Sequence, residues 1–194
     1  GWAENILNES LFHQNKFIEL LERIDAKDEI EQTKCYWKAK IAFVTANWQD
    51  AIDLLNSQSI TENETRFMLL FSYAAIGNTF DFDKTIQDMD VSELTVIQFT
   101  MLQVLSLRIH KNWNSIIELL EPNMVNFSKQ ERRDYKPQLL MAQAYRNLSE
   151  YAKAHQQLVN FEDHTAQNII CRIEIARLAF SRENYAKCIS QYEQ

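Results

Sequence analysis

The chain has 194 residues but only two glycines and two prolines. With so few breakers, a glycine-rich loop that cradles phosphate is excluded, and nearly continuous helix is expected. No GxSxG nucleophile motif occurs. The three cysteines, Cys35, Cys171 and Cys188, are an odd set with no CxxC and no Cys/His cluster. They exclude a disulfide framework and suit small buried apolar residues in a reducing compartment. No apolar run approaches the roughly 20 residues that a membrane-spanning helix needs. No secretory leader is visible. Membrane insertion is therefore not expected, and a cytoplasmic location is. The chain starts at Gly1 rather than Met and stops at Gln194 within an expected helix, which points to a fragment of a longer protein. Positive charge is also scarce: the net charge is −7. That opposes wrapping a nucleic-acid backbone, so neither RNA nor DNA is an expected partner.

Chemistry-bearing clusters are missing as well. His13, His110, His155 and His164 are scattered, and no pair has the i, i+4 spacing of a helical metal site. Asp81, Asp83, Asp88 and Asp90 lack the spacing and loop glycine of a calcium site, so they read as a solvated surface near a helix start. No catalytic residue, metal site or cofactor is assigned, and the segment is not expected to be an enzyme.

What the chain does have is a repeated phrase. Phe17, Trp48, Phe82, Trp113, Tyr151 and Tyr185 each follow a short polar turn, at spacings of 31, 34, 31, 38 and 34. Nine residues before them stand Asn8, Ala39, Tyr73, Val104, Ala142 and Ala176. Three residues after stand Leu20, Ala51, Thr85, Ile116, Ala154 and Cys188. Four after, the column is apolar except at His155. Paired antiparallel helices need small residues where their backbones approach and large ones where pairs stack. The array predicts six helix pairs, at roughly 1–27, 28–60, 61–91, 92–126, 127–163 and 164–194. Thr61 with Glu64 and Ser128 with Glu131 fit capping boxes, and Asp28 with Glu31 marks a further start. Gly77-Asn78 suits a helix end, Pro122 a stop, and Pro137 a first turn. The longest spacing leaves room for an extended or additional turn near 126–137.

In AYRNLSEYAKAHQQL (144–158) and ANWQDAIDLL (46–55) the chain resembles the tetratricopeptide repeat family, whose two-helix unit is about 34 residues long. The resemblance covers almost the whole chain and departs at the turn glycine, replaced by Asn15, Ala46, Lys111 or Ser149. It implies an all-α, right-handed solenoid of about six pairs, forming a single array.

In such a superhelix the first helix of each pair lines the inner surface. The inward positions are Tyr36, Lys40 and Phe43, then Leu70 and Ala74, then Met101, Leu105 and Arg108. They continue with Leu139, Gln143 and Arg146, then Ile173, Arg177 and Phe180. This strip is apolar in its middle, and its charged members are Lys40, Arg108, Arg146 and Arg177, with Lys136 nearby. It suggests a groove for a protein or peptide segment carrying acidic and apolar residues, with arginines gripping carboxylates. Two other readings stay open. The strip packs within a helical accessory domain of a larger enzyme or bacterial regulator, or it is covered in a homo-oligomer. The Lys and Asn set by which some tetratricopeptide proteins hold a chaperone C-terminus is not matched: Asn5, Glu9, Trp37, Phe67 and Phe71 occupy those places.

Overall fold

The computed structural model describes residues 2–26, 31–57, 63–159 and 169–183. Among these residues the regular structure is twelve α-helices and two short 3-10 turns, with no strand. The chain divides into two compact units, 1–76 and 77–194. The division falls inside the third expected pair, at its turn glycine.

The first unit contains α1 (Trp2–His13), α2 (Phe17–Ala26), α3 (Glu31–Val44), α4 (Trp48–Asn56) and α5 (Asn63–Ile76). Consecutive helices pack on one another, and α3 also meets α5. Leu20, Ile24, Trp37 and Ile41 form a core flanked by Leu11, Phe12, Phe17, Leu21 and Tyr36. A second aromatic contact joins α3 to α5: the Phe43 and Phe71 rings lie 5.4 Å apart, and Trp48 is 5.6 Å from Phe43. Asn8 is buried, and its side-chain oxygen accepts from Arg23 Nε at 2.9 Å.

The second unit contains α6 (Thr79–Gln87), α7 (Val96–Ile109), α8 (Trp113–Asn123), α9 (Lys129–Tyr135), α10 (Pro137–Asn147), α11 (Tyr151–Val159) and α12 (Ile169–Ser181). Here α7 packs on α8, α8 on α10, and α10 on both α11 and α12. Ser128 and Glu131 form the expected capping box, which starts α9. Thr95 and Gln98 form another at the start of α7. The extra residues of the longest spacing make α9, a separate short helix that ends at left-handed Lys136. Lys136 is buried, and its ammonium donates to the Arg133 carbonyl at 2.8 Å, so it closes α9. Pro137 occupies the first turn of α10, and α8 ends one residue past Pro122. Cys35 and Cys171 are buried thiols. Asp28, Thr61, Tyr185 and Cys188 lie outside the described residues.

One backbone device recurs in both units. Asn15, Ala46, Gly77, Lys111, Ser149 and Glu183 all have φ between 52° and 77°. At Asn15 and Ala46 the next amide reaches back across the turn, Lys16 N to Leu11 O at 3.0 Å and Asn47 N to Ala42 O at 2.9 Å. Asn112 N to Leu107 O and Glu150 N to Tyr145 O repeat the bond at 2.9 and 2.8 Å. This closure satisfies helix-end carbonyls and needs a left-handed residue, which glycine supplies without steric cost. Ala46 has neither that freedom nor a polar side chain to compensate. Ala46→Gly should therefore raise stability by about 1 kcal/mol. Urea midpoints of the two proteins measure the gain.

The turns also correct the register of the third pair. Helices α2, α4, α8 and α11 begin two residues after their left-handed residue, at Phe17, Trp48, Trp113 and Tyr151. By the same rule the third second helix begins at Thr79, not Phe82. Phe82 instead matches Leu20, Ala51, Ile116 and Ala154, three residues in, and these are all 0–1% exposed. Nine residues before the heads now stand Asn8, Ala39, Leu70, Val104, Ala142 and Ala176, all 0–2% exposed. Helices α2, α4, α8 and α11 start with an aromatic, whereas α6 starts with Thr79 and carries its aromatic three residues in. At such a closed seam extra methylenes do not fit. Ala142→Leu should cost about 1–3 kcal/mol, read as a lower thermal midpoint.

Candidate functional site

The expected inner strip separates into a buried half and two charged clusters. Leu70 is 0% exposed and belongs to the seam column, a consequence of the register correction. Met101, Leu105 and Leu139 are also at most 1% exposed, and Phe43 and Gln143 are buried. These residues are core rather than the open floor expected from the sequence. The reason is visible in α7, VIQFTMLQVLSLRI, which carries apolar residues on every side. Most of these apolar residues are buried, with Val96 and Phe99 left exposed near the start of the helix. Ile173 is half-buried, and Arg177 and Phe180 are exposed.

In the first unit Lys40 is enclosed by its neighbours. Its ammonium lies 3.4 Å from Glu9 on α1, 3.4 Å from Glu64 on α5, and donates to the Tyr36 hydroxyl at 3.1 Å. It also lies 5.1 Å from the ring centres of both Phe12 and Trp37. Burial opposes its charge, but the Tyr36 oxygen, Glu64 and Glu9 outweigh burial and hold its pKa above the usual lysine value. Lys40 thus joins α1, α3 and α5. Its charge is matched inside the unit.

Tyr36 donates to Glu64 at 3.1 Å. Burial first, with Glu64 adding to it and Lys40 opposing, pushes its pKa up to about 12. A raised folded-state pKa contributes stability below the unfolded value, and that contribution is lost as pH rises towards the folded value. The chain should thus lose roughly 1–2 kcal/mol relative to Tyr36→Phe as pH rises from about 10 to about 12. Paired denaturation curves at the two pH values give that difference.

The second unit brings three expected cations together around a carboxylate. Glu174 on α12 is 1% exposed. One of its oxygens accepts from Arg146 Nε on α10 at 2.6 Å. The other lies 3.6 Å from an Arg177 terminal nitrogen and accepts no hydrogen bond. Burial lowers the Arg108 pKa to about 10; Glu174 raises it, while Arg177 and Arg146 push it down. The sequence set of Arg108, Arg146 and Arg177 contained no carboxylate, so Glu174 was missed. Its signal was present: a glutamate between two arginines in an otherwise apolar helix, IICRIEIARLAFS. Glu9 was likewise readable, at the inward position of α1 that matches Lys40 of α3.

Among the described residues no cluster of three His, Cys, Asp or Glu side chains could hold a metal ion. No described helix is long and apolar enough to cross a membrane. Searches of protein-family models, curated proteins and solved structures found no match for this chain.

Proposed function

We infer that this chain is a non-enzymatic protein–protein interaction scaffold. It is a divergent tetratricopeptide-like solenoid of about six helix pairs, and it binds an acidic peptide or helical segment of a partner on its inner surface. The observation that carries the reading is the arginine group of the second unit. Arg146 and Arg177 reach solvent, with side chains 20% and 51% exposed, in a chain whose net charge is −7. Positive charge concentrated on an acidic protein attracts acidic partners and orients their approach. The repeated left-handed turns and the two closed seam columns support the helix-pair array. The acidic partner meets the arginine end of the strip, because the apolar middle is buried.

That same burial favours one second reading, a helical accessory domain whose apolar strip packs within the protein. The two readings separate in a capture experiment with the immobilised chain and with Arg177→Glu. The scaffold reading expects a defined acidic partner that the variant loses by at least about tenfold. Identical captures would favour the accessory domain. Arg177 is exposed, so its variant should retain the helical signal of the parent.

A further inference from the structure

We propose that Arg146 and Arg177 form a fork that clamps one carboxylate of an acidic partner side chain, with Glu174 as the positioning residue behind it. The proposal rests on the peptide-binding reading and names the chemistry its site would recognise. Arginine presents planar donors that match a carboxylate two at a time. Arg146 uses its Nε on Glu174 at 2.6 Å, which leaves its terminal nitrogens for a second acceptor. Its side chain remains 20% exposed. Arg177 lies 3.6 Å from the other oxygen of the same carboxylate and is half-exposed.

A long arginine side chain normally loses rotamer freedom on binding. Here Glu174, fixed at 1% exposure, has already oriented Arg146 through Nε. Among the described residues three guanidinium groups, Arg108, Arg146 and Arg177, interact with this one carboxylate. Their field favours a further anion. A planar carboxylate offers two acceptor oxygens that match the paired donors of a guanidinium.

The experiment uses the isotope-labelled chain and follows the arginine Nε–H resonances, assigned with Arg146→Lys and Arg177→Lys. Sodium acetate and sodium chloride are titrated at matched ionic strength. Acetate should give saturable shifts at Arg146 and Arg177, and chloride should not. Arg177→Gln should weaken acetate by at least about tenfold without changing the helical signal. Equal, non-saturating shifts in acetate and chloride would overturn the fork. Partner capture that survives Arg177→Gln would also overturn it while leaving the peptide-binding reading intact. Saturable acetate binding without any peptide partner would support the fork and count against that reading.

Discussion

Replacing Glu174 with glutamine should lower the stability of the second unit by about 3 kcal/mol. The shape of the side chain is kept, so no cavity is made. What changes is charge. Glu174 is 1% exposed and interacts with Arg108, Arg146 and Arg177. Breaking a buried ion pair from one side costs about 3–5 kcal/mol, because the remaining charge stays desolvated. The low end applies here, since Arg146 and Arg177 reach water and can relax towards it. Glutamine also turns one acceptor end into a donor that faces other donors. The double variant Glu174→Gln with Arg146→Met should recover part of the loss, because it also removes the cation that the first change leaves unpaired. Urea denaturation measures both, and hydrogen exchange in α10 and α12 places the change. A loss below about 0.5 kcal/mol would mean that Glu174 is not the centre of the cluster.

Phe82→Ala should cost about 3–5 kcal/mol, whereas Phe80→Ala, two residues away, should cost less than about 0.5 kcal/mol. Phe82 is 0% exposed and Phe80 is 77% exposed. The contrast tests the register directly. Were Phe82 a helix head like Phe17, Trp48 or Trp113, it would be half-buried as they are, and its loss would be milder. Thermal midpoints of the two variants give the answer without any knowledge of a partner.

These effects show which parts of the fold were readable beforehand. Seam residues such as Ala39, Ile116 and Ala154 were legible because a buried face must recur at helical spacing whatever it packs against. Turns at Asn15, Ala46, Lys111 and Ser149 were legible as positions, since each stands where the tetratricopeptide pattern that the sequence resembles keeps glycine. Their left-handed backbone shows why glycine would be preferred there. The third pair misled because Phe82 is aromatic and Thr79 is not. Gly77, two residues before Thr79, was the better ruler. Within the site, spacing located Lys40, Arg108, Arg146 and Arg177 but not their surroundings. Lys40 reaches Glu9 and Glu64 on neighbouring helices, and Arg146 reaches Glu174, at sequence separations that no local pattern records. Burial of Met101, Leu105 and Leu139 was hidden for a related reason. Inward position and apolar character do not tell an open floor from a covered core.

The most direct test of the scaffold reading is a peptide display library panned against the whole chain, with Arg177→Glu as the counter-selection. The account predicts enriched peptides that combine Asp or Glu with Leu, Met or aromatic residues, and that bind the parent at least about tenfold more tightly than the variant. A selection that converges on no sequence, or on basic sequences that the variant binds equally well, would contradict it.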